Sequence, residues 1–240
     1  MLSRTVGAVV ERALDALPAP AARGVSLIAH RGFASVNPEN TTHAVTRSTG
    51  ADAVEVDVRR AASGEVVVCH DATVDRVTDG TGRVERLSAR ELDELSVHDS
   101  GAGVPTLDAL LDAVPDRVAV NVELKERGLG SDVDAAAERV ENDVWVSAFD
   151  PVALRDSALP RALLFAKNPR GNLAVADELD CVAVHPSVAL CLGTRTVRRA
   201  HEHGFDVNAW TIDAPGVAWA LARQGVDGVI ADRPSVVRQP

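Results

Sequence analysis

The sequence contains few cysteines and no apolar stretch long enough to cross a membrane. Its 240 residues include three cysteines, Cys69, Cys181 and Cys191, and their wide spacing argues against a disulfide framework or a zinc site. The short apolar run near the amino terminus is interrupted by Glu11 and Asp15, which is typical of neither a signal peptide nor a membrane span. We therefore expect a cytoplasmic protein with no membrane span.

Positive charge is also scarce. Acidic residues outnumber basic ones by 35 to 25, which gives a net charge of −10, and no basic block offsets it. This balance argues against a nucleic acid or an anionic membrane surface as the partner, so an anionic small molecule would need a local positive centre. The apolar residues, 46% of the chain, suffice for the core of one large α/β domain or two small ones.

Short β-branched runs alternate with helical patterns along most of the chain. Between the runs, apolar residues recur at helical spacing, as at 107–114, 135–140 and 218–222. This alternation predicts a single α/β domain, residues 1–240, folded as a (β/α)₈ barrel of the TIM type, with a doubly wound open sheet as the alternative. The predicted strands are residues 25–30, 53–58, 118–125, 144–149, 161–166, 181–186, 206–212 and 227–232.

The alternation is interrupted after the second strand. A turn and another apolar run, VVVCH, follow there instead of a helix, and then comes a polar, glycine-rich stretch at residues 71–105. Because this inserted segment lies between a strand and the next helix, we expect it at the carboxyl-terminal mouth of the barrel, where barrel enzymes build their active sites. The helical pattern from Val6 to Leu17 is predicted to cover the barrel floor or the gap left by a missing eighth helix.

Two acids within the second strand raise an electrostatic question. In the stretch ADAVEVDVRR, Val54, Val56 and Val58 share one face, while Glu55 and Asp57 share the other at a Cα separation of about 6.6 Å. Two carboxylates at that distance repel each other. Either a positive group lies between them, or the strand is a solvated edge.

Acids and histidines recur at the carboxyl ends of the predicted strands. In a barrel these ends meet at one mouth, so their side chains converge. A turn centred near residues 62 and 63 would return the chain and place His70 opposite Glu55. The expected group consists of His30, Glu55, Asp57, His70, Glu123 and Lys125.

Three carboxylates at one mouth favour a hard divalent cation. Mg²⁺ and Ca²⁺ prefer oxygen ligands, and Mn²⁺ is a further candidate; the ion would cancel the repulsion between the acids and give an acidic protein the means to hold a phosphate. Histidine, with an ordinary pKa of about 6.5, transfers protons in both directions near neutrality. The pattern therefore predicts metal-assisted chemistry at a phosphate, with one histidine as the base and the other as the acid.

Several motifs, in this order, resemble those of the glycerophosphodiester phosphodiesterase family. They are AHRGFASVNPENTTHAV, VEVDVRRAASGEVVVCHDATVDRVTDGTG, VELK, NAWTID and GVDGVIADRP, and they extend from His30 to Pro234. The resemblance implies a TIM-type barrel with a segment inserted after the second strand, and hydrolysis of a small glycerophosphodiester to glycerol 3-phosphate and an alcohol. It also implies catalysis by His30 and His70, binding of one divalent cation by Glu55, Asp57 and Glu123, and substrate binding by Arg31, Lys125 and Trp210.

Some roles stay open at this level. The two histidines are not assigned as acid and base, and His70 opposite Glu55 is also placed to complete the coordination of the metal. Asn40 either caps the helix that follows it or also contacts the site. Two rival interpretations of the whole chain are a related barrel that acts on lysophospholipids and a non-catalytic barrel that binds glycerol phosphates.

Overall fold

The computed structural model describes residues 24–237, which form a barrel of parallel strands surrounded by helices. The helical pattern predicted from Val6 to Leu17 lies outside the described residues. The strands of the described part are β1 Ser26–His30, β2 Ala53–Arg60, β3 Val66–Val68, β4 Ala119–Leu124, β5 Val144–Ala148, β6 Arg161–Phe165, β7 Ala183–Pro186, β8 Asp206–Ile212 and β9 Gly228–Ala231.

The parallel strands close on themselves. β1 pairs in parallel with both β2 and β9, the other parallel strands pair in chain order, and β3 lies antiparallel beside β2. The predicted TIM-type barrel is therefore confirmed. The alternative of an open doubly wound sheet is wrong, because an open sheet has two edge strands, whereas each of the eight parallel strands here has a parallel partner on both sides. The eight predicted strands agree with β1, β2 and β4 to β9, with ends that differ by at most two residues.

Helices cover the outside of the barrel, and several begin where the sequence predicts. The Thr106 hydroxyl accepts a hydrogen bond from the Ala109 amide at 3.2 Å and so caps the helix after the inserted segment. Leu107 and Leu110 of that helix are buried in the core between helices and strands. The helices of the described part are α1 Thr42–Thr46, α2 Ala89–Asp93, α3 Leu107–Leu111, α4 Gly130–Ala137, α5 Pro169–Glu178, α6 Val188–Gly193, α7 Thr196–Glu202 and α8 Pro215–Gln224, with 3₁₀ turns at Val84–Arg86 and Pro234–Val236.

The inserted segment folds around a small core of its own. Its turns and α2 bury Val74, Leu92 and Val97 together with Val67 of β3. A backbone hydrogen bond of 2.9 Å from the Val68 amide to the Pro105 carbonyl ties the end of the segment to the hairpin. Among residues 24–237, no helix combines the length and apolar character needed to cross a bilayer.

The hairpin of β2 and β3 returns the chain as predicted, but in a register that differs by one residue. Val68 pairs with Val58, so His70 is level with Val56 and not with Glu55. The turn is closed by a 2.9 Å hydrogen bond from the Ala61 amide to the carbonyl of residue 65, so its centre lies at residue 63. The predicted turn, centred between residues 62 and 63, was too short by one position.

Candidate active site

Three buried carboxylates lie together at the carboxyl-terminal mouth of the barrel. Glu55 and Asp57 project from β2 and Glu123 projects from β4, where Asp57 and Glu123 are register partners. One oxygen of each lies within 4.8 Å of the others; Glu55 is 3% exposed and Asp57 is fully buried. We call these three residues the acidic cluster. The alternation of β2 places both of its acids inside the barrel, so the interpretation as a solvated edge is wrong.

The oxygens of the acidic cluster fit a divalent cation. Among the described residues, Glu55 Oε1 is buried without a hydrogen-bond partner, and Asp57 Oδ1 has only the Lys125 ammonium 3.3 Å away, without hydrogen-bond geometry. Buried carboxylate oxygens are rarely left in this state, because an unpaired buried polar group costs about 1–3 kcal/mol or more. Mg²⁺ and Ca²⁺ take oxygen ligands, so the donor set of the acidic cluster suits one such ion.

Two basic side chains contact the acidic cluster. Arg31 Nε lies 3.1 Å from Asp57 Oδ2, and the Arg31 amide donates to Glu55 Oε2 at 3.0 Å. Lys125 Nζ donates to Glu123 Oε1 at 2.6 Å. Burial raises the pKa of Asp57, but the charges of Arg31 and Lys125 outweigh burial and hold that pKa below its ordinary value. Asp57 is therefore ionised at neutral pH.

The pKa values of the two glutamates of the acidic cluster are shifted in the opposite direction, above their ordinary values. Burial and the charge of Asp57 raise the pKa of Glu55 to about 8. The same two causes raise the pKa of Glu123, although Lys125 partly offsets them. Glu55 is therefore mostly protonated at pH 7 when no cation is bound, and a divalent cation would take the place of that proton.

His30 is oriented by an aspartate from the other end of the chain. Its Nδ1 lies 2.6 Å from Oδ1 of Asp232, which follows β9, and its Nε2 lies 3.9 Å from Glu55 Oε2. Because a carboxylate only accepts, the neutral ring carries its hydrogen on Nδ1 and has its lone pair on Nε2, on the side of the acidic cluster. Burial lowers the pKa of His30, but the hydrogen bond to Asp232 and the charge of Glu55 raise it above its ordinary value.

His70 has a carboxylate partner of the same kind. Its Nδ1 lies 2.6 Å from Oδ1 of Asp71, the next residue in the chain. Burial lowers the pKa of His70 below its ordinary value, although the charge of Asp57 and the hydrogen bond to Asp71 oppose this shift. Within the described residues, the group of candidate metal-ligand atoms contains the three acids and no nitrogen of His70. The two histidines thus present the same free atom, Nε2, for proton transfer.

A cavity of about 90 Å³ joins the predicted site residues. Its aromatic wall contains Trp210, whose indole N–H donates to the His185 carbonyl at 2.7 Å, and Phe149, whose ring meets Trp210 edge to face at 5.3 Å. Asp57 contacts the cavity residues Arg31 and Lys125. All the other predicted site residues line the cavity, namely His30, Arg31, Glu55, His70, Glu123, Lys125 and Trp210.

The structure answers the open question about Asn40, and it also brings Asp71 and Asp232 to the site, two residues to which the sequence assigned no role. Asn40 donates to Asp57 Oδ2 at 2.9 Å and accepts from the Asp57 amide at 3.3 Å. Thr41 is the residue that caps α1, so the role of Asn40 is contact with the site. Asp71 and Asp232 orient the two histidines. The adjacency of Asp71 to a histidine was a usable signal, and Asp232 ends the predicted strand 227–232, but nothing in the local sequence pairs Asp232 with His30.

The barrel, its buried acidic cluster and the two carboxylate-bound histidines define a protein whose mouth suits a cation and proton transfer. A family model, the glycerophosphoryl diester phosphodiesterase family, matches residues 30–236. The chain belongs to this family.

Individual relatives match over most of their own length. The chain is 33% identical to a probable glycerophosphodiester phosphodiesterase 2 of Mycobacterium tuberculosis, over 88% of each chain. It is 29% identical to a glycerophosphodiester phosphodiesterase of Caldanaerobacter subterraneus, over 88% of this chain and 95% of that one. A solved phosphodiesterase of Oleispira antarctica, in complex with the product sn-glycerol-3-phosphate, is similar with a TM-score of 0.80 and 26% identity, over 88% of this chain and 94% of that one.

Proposed function

We propose that this chain is a metal-dependent enzyme that hydrolyses glycerophosphodiesters to glycerol 3-phosphate and an alcohol. The observation that carries the proposal is the buried acidic cluster, with an unpaired oxygen on Glu55, at a cavity that Glu55 and Glu123 line together with two histidines. Family membership and the product named for the Oleispira antarctica structure support the same substrate class. The comparisons favour neither a lysophospholipid-specific barrel nor a non-catalytic one.

In this proposal Glu55, Asp57 and Glu123 hold one Mg²⁺ or Ca²⁺, with Mn²⁺ as a third candidate. When bound, the ion supplies Lewis-acid stabilisation of charge on a phosphoryl oxygen. Arg31 and Lys125 line the same cavity and contribute fixed positive charge, so the cavity attracts a phosphate although the whole chain carries a charge of −10.

His30 and His70 transfer the protons. One ring accepts a proton at Nε2 from the attacking hydroxyl or water, and the other donates a proton from Nε2 to the oxygen of the leaving alcohol. Asp232 and Asp71 hold the two Nδ1 hydrogens and so keep each Nε2 free for this transfer. The carboxylate charge also stabilises the protonated form of each ring.

Trp210 shapes the pocket for the substrate. Its ring is fixed from two sides, by the hydrogen bond to the His185 carbonyl and by Phe149, which is 48% exposed. A fixed aromatic face at the mouth provides apolar contact for the carbon atoms of glycerol or of the alcohol. The cavity volume of about 90 Å³ suits a small glycerophosphate group.

The remaining predictions from the sequence are kept as proposals. Residues 1–240 form a single barrel domain, and residues 71–105 form an inserted segment at its mouth. The chain acts on a small molecule, without a nucleic acid as its partner. A cytoplasmic location stays a prediction.

The test is release of glycerol 3-phosphate from glycerophosphocholine with Mg²⁺, Mn²⁺ or Ca²⁺, beside a lysophosphatidylcholine substrate and an EDTA control. We expect activity that EDTA abolishes and that His30→Ala lowers by at least about a hundredfold. The matched control is His201→Ala, which removes an exposed histidine paired with Asp227 at 2.9 Å and should leave the rate unchanged. Full activity in EDTA would refute the metal site, and full activity in His30→Ala would refute the proton transfer.

A further inference from the structure

We infer that Arg76, in the inserted segment, is a positioning residue that fixes His70 and Arg31 relative to each other. The inference rests on the proposed roles of those two residues in the reaction. Arg76 acts through two carboxylates, Asp71 and Glu39, to which its guanidinium donates three hydrogen bonds.

The first branch runs from Arg76 to His70. Arg76 Nε donates to Asp71 Oδ2 at 2.5 Å, while Oδ1 of the same carboxylate lies 2.6 Å from His70 Nδ1. Both oxygens of Asp71 are thus engaged, and the carboxylate cannot rotate without losing one of the two bonds. Because Oδ1 accepts, His70 keeps its hydrogen on Nδ1 and its Nε2 free.

The second branch runs from Arg76 to the acidic cluster. Arg76 Nη1 and Nη2 donate to the two oxygens of Glu39 at 2.9 Å each, which is a bidentate pair. Glu39 Oε1 also accepts from Arg31 Nη1 at 2.8 Å, and Arg31 Nε lies 3.1 Å from Asp57 Oδ2. The Glu39 side chain is only 9% exposed, so solvent screens this branch weakly.

The backbone that carries Arg76 is anchored in the core of the inserted segment. The amides of Val77 and Thr78 both donate to the Val74 carbonyl, at 3.2 and 3.0 Å, which closes a turn around Arg76. Val74 and Val77 are buried in that small core. The backbone of Arg76 is therefore held in place, and the inserted segment positions the Arg76 guanidinium at the mouth of the barrel.

The geometry requires a guanidinium and not merely a positive charge. Arg76 is about half exposed, so solvent screens its charge, and its effect comes from three hydrogen bonds with fixed directions. A lysine ammonium is a single point and cannot make the bidentate pair with Glu39 while it also holds Asp71. We therefore expect Arg76→Lys to lose nearly as much activity as Arg76→Gln.

The kinetic test is a double-mutant cycle with glycerophosphocholine as substrate. We expect Arg76→Gln and Arg76→Lys to lower kcat/KM by about ten- to a hundredfold, the size expected when a reacting group is misplaced by about 1 Å. In an Asp71→Asn background, Arg76→Gln should lower kcat/KM by a clearly smaller factor, because the branch to His70 is already broken and only the branch through Glu39 is left to lose. Arg83→Gln is the matched control, since Arg83 is an exposed arginine of the same segment paired with Glu85, and it should match the unchanged chain.

The second readout is the ¹⁵N spectrum of the His70 ring in metal-free protein, which needs no turnover. The unchanged chain should show the Nδ1–H form alone, and Arg76→Gln should show a mixture of both neutral forms. Inactivity of the unchanged chain would count against the proposed function only. If the chain is active, the inference about Arg76 is overturned by full activity of Arg76→Gln or Arg76→Lys, by equal losses with and without Asp71→Asn, or by an unaltered His70 spectrum.

Discussion

Replacing Asp232 by asparagine tests whether the orientation of His30 matters for the reaction. The change removes the carboxylate that lies 2.6 Å from His30 Nδ1 and leaves a side chain of nearly the same size. A hydrogen bond to a charged group contributes about 1.5–3 kcal/mol, which corresponds to a roughly 10- to 150-fold loss in kcat. Asp232 is 27% exposed, so we expect a loss in the lower half of that range.

The same substitution should move the pKa of His30 in a definite direction. The hydrogen bond and the charge of Asp232 both raise this pKa, whereas burial, which lowers it, is unaffected by the change. Asp232→Asn should therefore lower the pKa of His30, and a ¹H NMR titration of the ring proton in metal-free protein measures this shift directly.

The matched control is Asp227→Asn. Asp227 lies 2.9 Å from the exposed His201, a histidine with no proposed role in the reaction. The kcat of this variant should therefore stay unchanged. Circular dichroism spectra should be alike for both variants. A kcat for Asp232→Asn within twofold of the unchanged chain, or a His30 pKa that stays where it was or rises, would show that Asp232 does not orient this ring.

Three further perturbations have defined outcomes. Asp57→Asn should weaken Mg²⁺ binding in calorimetry by at least about tenfold and lower activity with it, and unaltered affinity would remove Asp57 from the ligand set. Burial raises the pKa of Glu39, but its arginine partners lower this pKa from 4.5 to about 2. The ionised Glu39 should therefore stabilise the fold by about 1–2 kcal/mol. This stabilisation is complete above pH 4.5 and is lost as the pH falls toward 2. Urea unfolding of Glu39→Gln should therefore show a weaker pH dependence across that range, and an unchanged dependence would contradict the shift. Gly32→Ala should lower the melting temperature by several degrees, because Gly32 has a φ of +75° and an added Cβ would lie 2.5 Å from the Ala44 Cβ. Gly193→Ala is the control: a Cβ added at Gly193 would meet open space, so this variant should melt at nearly the same temperature as the unchanged chain.

The barrel could be predicted because its signals are local. The alternation of valines and acids from Val54 to Val58 is a property of one strand, and it correctly places Glu55 and Asp57 together on the face opposite the valines. Helix caps such as Thr106 are equally local, since the capping hydroxyl and the amide it binds are three residues apart. Features of this kind are encoded within about ten residues of sequence.

The contacts that orient the site could not be predicted in the same way. His30 and Asp232 are 202 residues apart, and Arg76 and Glu39 are 37 residues apart, so both pairs depend on how the barrel closes and on how the inserted segment folds. The level of His70 depended on a turn whose length is set by backbone conformation and not by hydrophobic pattern. One added position in that turn was enough to shift the register by one residue.

The closure of the barrel between β9 and β1 has a consequence for synthesis on the ribosome. His30 is among the first residues of the barrel to be translated, but its partner Asp232 follows 202 residues later. At roughly 5–20 residues per second, that separation corresponds to roughly 10–40 s of translation. During this interval the nascent chain carries the acids of β2 and β4 without β9 and Asp232, so the barrel closes and the contact between His30 and Asp232 forms only after β9 has been synthesised.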